Sequence, residues 1–292
     1  MSSYLIENEK IKAEIETAGA ELKSLKRKRD NREYMWYADA KFWGRTSPVL
    51  FPLVGSLNEK KYRFNGKEYE MGQHGFARDM EFEMIEQTKD CLRFRLQSDE
   101  DTIKKYPFDF SLEIGYQLEE NKVRVSWKVM NTGKNEMYFS IGGHPAFLCP
   151  IEDNTKQTDY YLFFDTNQNI QSDVLENGLI SDKLKEYPLE NGYLKITEDL
   201  FDGDALVIEK NQTKKVALCL PDKSPYLTVC FDAPLFGVWS PVRKNAPFIC
   251  IEPWYGRADR VGFRKELPER EWGNTLKERE SFEASYRIEI SE

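Results

Sequence analysis

The chain carries two histidines, and both stand next to glycine. His74 lies in Gln73-His-Gly-Phe-Ala-Arg-Asp79 and His144 in Gly142-Gly-His-Pro-Ala-Phe147. Imidazole, with an ordinary pKa of roughly 6.5, takes up or releases a proton near neutral pH. A neighbouring glycine lets the backbone bend and a ligand come close. A third candidate is Glu252, in Phe248-Ile-Cys-Ile-Glu-Pro-Trp-Tyr-Gly256. There a carboxylate ends an apolar run that reads as a buried strand, with Pro253 expected to stop it. Burying a carboxylate costs on the order of several kcal/mol unless it is paired or hydrogen-bonded, so chance placement is disfavoured. Each histidine could instead be a satisfied structural residue, and Glu252 an ordinary strand-end carboxylate in an ion pair. Trp254 and Tyr255 follow it. Rings beside a carboxylate suit a sugar, whose apolar face stacks while its hydroxyls bond to charge.

Two further segments carry charge at element ends. Phe201-Asp-Gly-Asp204 precedes the apolar run Ala205 to Ile208, where either Asp202 or Asp204 could serve the turn or a ligand. Arg45 precedes the apolar segment Val49 to Gly55 and could clamp a ligand or sit as a paired surface charge. Other chemistries find little support. H-E-x-x-H, H-x-H and Cys/His clusters are absent, so no dedicated zinc site is expected, and convergence of the two histidines with Glu252 or an Asp is the one route left to a metal. The chain also lacks G-x-S-x-G, a Walker loop and G-x-G-x-x-G, so no cofactor is expected.

The elements that must position these groups read as strands. Apolar residues fall on alternate positions in Val123 to Val129, and at Leu112, Ile114, Tyr116 and Leu118. Leu92, Phe94 and Leu96 repeat the pattern, as do Tyr286, Ile288 and Ile290. Successive side chains of a strand point to opposite faces, so these are half-buried antiparallel strands. Asn65-Gly66 sits between two such runs as a hairpin turn, and Asn131-Thr-Gly133 closes another strand. Helical signals are few: a short helix in Asp99 to Lys105, stopped before Pro107, and a mixed stretch from Gln171 to Lys185. With no linker and no repeat, residues 1–292 read as one large all-β domain of packed antiparallel sheets.

Aromatic residues at 13% are too many for a disordered chain. Forty-two basic against fifty acidic residues give a formal charge of -8, which argues against nucleic acid or an anionic membrane as partner. No apolar run approaches the roughly 20 residues of a membrane helix. The N-terminal residues show no basic start followed by an apolar stretch, so a cytoplasmic address is expected. Five scattered cysteines without a C-x-x-C pair read as buried, reduced thiols.

SPVLFPLVG, QHGFARD, GGHPAF and IEPWYG, in that order, resemble the aldose 1-epimerase (galactose mutarotase-like) family, and its LacX-like branch most closely. The resemblance runs from Leu5 to the C-terminal strand. It implies a β-supersandwich with the sugar in a groove across one sheet. It further implies Glu252 as general base, His144 as general acid, and His74 as a second sugar-binding histidine. Asp204 matches the substrate-binding Asp, with Asp202 as the alternative; Arg45 matches a sugar-contacting Arg, and Trp254 belongs to the expected wall. The Glu-Pro-Trp-Tyr-Gly context departs from that of the best-studied mutarotases and leaves the preferred sugar open. Mutarotation needs a base at the anomeric hydroxyl and an acid at the ring oxygen, with no metal or nucleotide. A carboxylate near His144 is expected to hold more of it protonated. The sugar would be the only partner, with the protein a monomer or homodimer. The competing readings are a hexose-6-phosphate 1-epimerase, which needs Arg45, Arg78 or Arg257 to converge on phosphate, and a carbohydrate-binding protein without catalysis.

Overall fold

A computed structural model describes residues 2–291. Strands take 49% of the residues and helix 6%, in large antiparallel sheets, as the alternating pattern implies. The long hairpin of Phe110–Glu119 and Lys122–Asn131 alternates buried and half-buried positions along its whole length. It sits within a nine-stranded sheet, next to Ser281–Ile290 on one side and Cys91–Gln97 on the other. One face of this sheet puts Leu112, Ile114, Val125 and Trp127 into the core. The other carries charge, with Lys128 3.1 Å from Glu283 and Arg93 3.5 Å from Glu113.

An eight-stranded sheet holds Leu235–Trp239, Phe248–Tyr255 and Ile141–Gly143 at adjacent places, with Ala146–Leu148 also paired to Phe248–Tyr255. Every residue from Phe248 to Trp254 is buried. Ile249 and Ile251 join the main core together with residues of the nine-stranded sheet. The alternate positions Phe248, Cys250 and Trp254 pack elsewhere, Phe248 and Cys250 with Trp36 and Ala146, and Trp254 with Leu50, Ile180 and Val207. Both faces of the strand are therefore covered, which explains its near-continuous apolar sequence.

Local signals behave as their chemistry demands. Asn65 (φ 51°) and Gly66 (φ 73°) close the hairpin of Lys61–Phe64 and Lys67–Glu70. Asp99 caps the helix Glu100–Lys105 through the Asp101 and Thr102 N–H groups. Two expectations need correction. Gln171 to Lys185 contains no helix: Ile170–Glu176 and Leu179–Tyr187 pair as a hairpin around Asn177 (φ 54°) and Gly178 (φ 78°). Pro253 does not stop its strand, which runs on to Tyr255. It lies where the neighbouring chain has left the ladder, between Ile141–Gly143 and Ala146–Leu148, so an N–H is least needed. All five cysteines are free; Cys149, Cys219 and Cys250 are buried, whereas Cys91 and Cys230 are half-buried. Among the described residues no helix is long and apolar enough to cross a membrane.

Gly75 fixes the QHGFARD segment against the sheet. Its φ is +72°, and a Cβ there would stand 2.2 Å from the Phe51 carbonyl oxygen. That oxygen accepts the Phe76 and Ala77 N–H groups at 3.0 and 3.1 Å, so it cannot withdraw. Gly75→Ala should therefore lose about 3 kcal/mol in urea denaturation, combining positive-φ strain with overlap. Gly66→Ala, with similar φ but open space around it, should lose only about 1 kcal/mol. Equal losses would show that the close approach to Phe51 carries no weight.

Candidate active site

The site starts from the gap in the sheet. Ile141–Gly143 pairs with Phe248–Tyr255 through Gly142 opposite Trp254, and Ala146–Leu148 pairs with it through Ala146 opposite Cys250. The register is the same on both sides of the gap, so His144 falls opposite Glu252. The two side chains meet, with His144 Nε2 3.3 Å from Glu252 Oε2. His144 is 7% exposed and Glu252 1%. The His144 backbone N–H donates to the Pro48 carbonyl at 3.0 Å, and Trp43 stacks on the imidazole at 4.7 Å and 29°. Trp239 meets the His144 ring edge-on at 5.5 Å.

Above this pair lies a pocket of about 280 Å³, near the lower end of small-molecule sites and suited to a single sugar ring. His74, His144, Asp204, Glu252 and Trp254 all line it. The His74 ring is 5.6 Å from the His144 ring, nearly perpendicular. His74 Nδ1 accepts the Gly55 N–H at 3.1 Å, which leaves Nε2–H as the donor this neutral ring can offer a ligand. Trp254 lies in a slot made by two glycines: a Cβ on Gly142 would stand 2.6 Å from the indole, and one on Gly237 2.4 Å. The strand chemistry of GGHPAF is thereby explained, since any larger residue at Gly142 would move the ring.

Position separates Asp204 from Asp202 and sets Arg45 apart from the pocket. Asp204 lines the pocket with φ +74°, while Asp202 is ion-paired to Arg243. Arg45 does not line the pocket; it pairs with Asp79 at 2.6 Å and acts on the histidines only through its charge. Several lining residues were not singled out as sugar contacts by the sequence, Gln73, Arg78, Trp43 and Trp239 among them. Gln73 and Arg78 lie within the QHGFARD motif itself, and Trp43 and Trp239 are aromatic residues at segment ends. Arg78 donates to the Gln73 carbonyl at 2.7 Å, and its Nε has no hydrogen-bond partner among the described residues. Leu175, Ile180, Ala205 and Val207 form an apolar wall.

Burial dominates the electrostatics. It pushes His144 down to about 3, helped by the Arg78 and Arg45 charges. It pushes His74 well below the ordinary histidine value, with His144, Arg78 and Arg45 adding to the effect. It raises the Glu252 carboxyl well above its ordinary value; the Asp204 carboxylate adds to this, and the Trp254 indole opposes it. The expected imidazolium beside a carboxylate is thus not the resting arrangement. Desolvating two charges outweighs their attraction, so neutral imidazole stands beside neutral carboxylic acid. The pair holds one proton between an acid and an acceptor. Among the described residues, His144 Nδ1, Glu252 Oε2 and Trp254 Nε1 are buried without hydrogen-bond partners, a polar floor that a ligand could satisfy.

Comparison with known proteins agrees with this architecture. Residues 2–272 match the family model for aldose 1-epimerase. The plasmid-borne Protein LacX of Lactococcus lactis is 33% identical over 262 residues, covering 86% of this chain and 87% of that protein. The crystal structure of a galactose mutarotase related enzyme from Lactobacillus acidophilus superposes with a TM-score of 0.94 at 35% identity, covering 100% of this chain and 98% of the other. A galactose mutarotase-like protein from Lactobacillus casei gives 0.94 at 33%, covering 99% and 100%. The fold is that of the galactose mutarotases, and the chain belongs to the aldose 1-epimerase family.

Proposed function

We propose that this protein interconverts the α and β anomers of a free aldohexose, with Glu252 as base and His144 as acid. The 3.3 Å contact between His144 Nε2 and Glu252 Oε2 at the floor of a sugar-sized pocket carries this reading. Ring opening starts with the proton on His144. Glu252 takes the anomeric hydroxyl proton, the C1–O bond to the ring oxygen breaks as C1=O forms, and His144 gives its proton to the ring oxygen. Rotation about C1–C2 and the reverse steps deliver the other anomer. At the open-chain stage the pair is neutral imidazole and carboxylic acid, the arrangement that burial favours. Each stage keeps one proton and no net charge on the pair, so no charge enters or leaves a desolvated site. Sugar hydroxyls bonding to Glu252 favour its ionised form and set up the first step.

The surroundings fit a neutral ring. His74, Arg78, Gln73 and Asp204 face hydroxyls, and the apolar wall takes C–H surface. A phosphate is disfavoured because the arginines do not converge. Arg257 lines the pocket, but its N–H groups bond to Glu209, Glu271 and the Ala258 carbonyl. Arg45 is held by Asp79, leaving Arg78 alone, whereas phosphate recognition favours several charge-assisted bonds. The same reading takes the protein as a cytoplasmic monomer or homodimer acting as one domain, without cofactor, nucleic acid or membrane.

Glu252→Gln should lower turnover by roughly 10²-fold or more, the scale of a lost general base. Sugar binding should survive, because an amide still bonds a hydroxyl. His144→Asn should reduce turnover more than affinity, and His74→Asn should affect affinity at least as much as turnover. Polarimetry or NMR of freshly dissolved α-sugar measures these rates. Full activity in Glu252→Gln would remove Glu252 as the base, and sugar binding without anomer exchange would favour a binding protein.

The pH dependence follows from the burial. A second proton joins the pair only near the His144 value of about 3, so kcat/KM should stay flat from about pH 7 to about pH 5, where an ordinary histidine would give a limb near roughly 6.5. It should fall on the alkaline side, where the pair loses its one proton. With only His74 and His144 in the chain, imidazole NMR should show no titration between about pH 5 and about pH 8. The unfolded chain protonates both rings below roughly pH 6.5 while the native protein declines those protons, so the two histidines destabilise the fold progressively on acidification. A titration midpoint near 6.5 in either ring would contradict this electrostatic picture.

A further inference from the structure

We propose that His144, Cys250 and Glu252 form a site for a thiophilic divalent cation, Zn²⁺ or Co²⁺, whose binding switches the pocket off. One imidazole nitrogen, the Cys250 Sγ and one Glu252 oxygen lie within 4.8 Å of one another, all in buried residues. Cys250 stands two places before Glu252 on one strand, so the two side chains share a face, and His144 faces them across the gap. Glu252 Oε2, one of the proposed ligand atoms, is buried without a hydrogen-bond partner among the described residues. Tetrahedral donors at about 2.0–2.3 Å from an ion lie roughly 3.3–3.6 Å apart. The His144 Nε2–Glu252 Oε2 separation of 3.3 Å already meets this, and the three ligand atoms, within 4.8 Å of one another, need to close by only about 1 Å to complete the set. Thiolate, imidazole and carboxylate together select zinc or cobalt over magnesium or calcium.

The charges close. The ion displaces the Cys250 thiol proton and the Glu252 carboxyl proton and takes the lone pair of neutral His144. Two anions then balance a dication, leaving no net buried charge. Binding releases protons and tightens as pH rises. The ion engages both proton-transfer groups, so it acts as an inhibitor and not as a cofactor; this consequence rests on the proposed epimerase reading, whereas the site itself does not. Cys250 does not line the pocket, so removing it leaves the sugar contacts in place.

Chelator-treated protein would be titrated with Co²⁺ and followed by absorbance, then with Zn²⁺ by displacement and by anomer exchange. Wild type should bind one Co²⁺ with a thiolate-to-cobalt charge-transfer band, and Zn²⁺ should displace it and stop exchange. Cys250→Ala should keep basal exchange, lose the band and bind Zn²⁺ about tenfold or more weakly. Cys250→Ser, nearly isosteric, gives the same comparison if the alanine variant misfolds. A missing band in wild type, a band that persists in both variants, or equal Zn²⁺ affinity in all three proteins would overturn the site. Wild type that shows the band but catalyses no exchange would overturn the epimerase reading alone.

Discussion

A carboxylate buried in the middle of a sheet is the constraint around which this protein is arranged. Glu252 is 1% exposed on a strand covered on both faces. A lone charge there would cost several kcal/mol, on the order of the whole net stability of a domain. Keeping the proton on the carboxyl removes that cost, and the facing imidazole supplies a partner that is also neutral. The sheet gains a latent proton donor and acceptor at a point that an ordinary core would fill with two aliphatic side chains.

Placing those groups face to face requires the neighbouring strand to leave its ladder without losing register. His144-Pro145 occupies the break, and Pro253 stands near it on the other side. The two prolines lack N–H groups, so the interruption leaves fewer donors unpaired. Gly142 and Gly237 then open the slot that seats Trp254 beside the pair. Trp43, stacked on His144, closes it from the other side. Rigid aromatic walls around a neutral acid–base couple suit a neutral, amphipathic ligand, which is the physical basis for proposing a free aldose.

The charged groups near the pocket are mostly tied to one another. Arg257 sits between Glu209 and Glu271, Arg45 on Asp79, and Arg270 on Asp259 at 2.6 Å. Arg78, which lines the pocket, has its Nε 3.9 Å from Asp79 and without a hydrogen-bond partner among the described residues. The site is thereby polar without being strongly charged. The same lack of fixed charge underlies both proposals, a free rather than phosphorylated sugar and a thiophilic dication that displaces two protons.

Composition and period determined the class of fold. Alternation in Phe110–Glu119 and Lys122–Asn131 could only place one face in a core, and it was legible because each of those strands has a wet face. The hairpin at Asn177-Gly178 was equally encoded but hidden, because Leu179–Tyr187 is mostly exposed beyond Ser181 and carries no apolar rhythm. Gly-flanked His74 and His144 and the strand-borne Glu252 could be singled out by residue type and motif, since buried polar groups are rare enough to be informative. Their juxtaposition could not. It depends on a register shared across a broken strand, on Asp204 rather than Asp202 turning inward, and on Arg45 turning to Asp79. Protonation was likewise decided by the tertiary structure: an exposed histidine beside a glutamate would hold its proton, whereas complete desolvation by Trp43, Trp239 and the surrounding sheet moves that proton to the carboxyl.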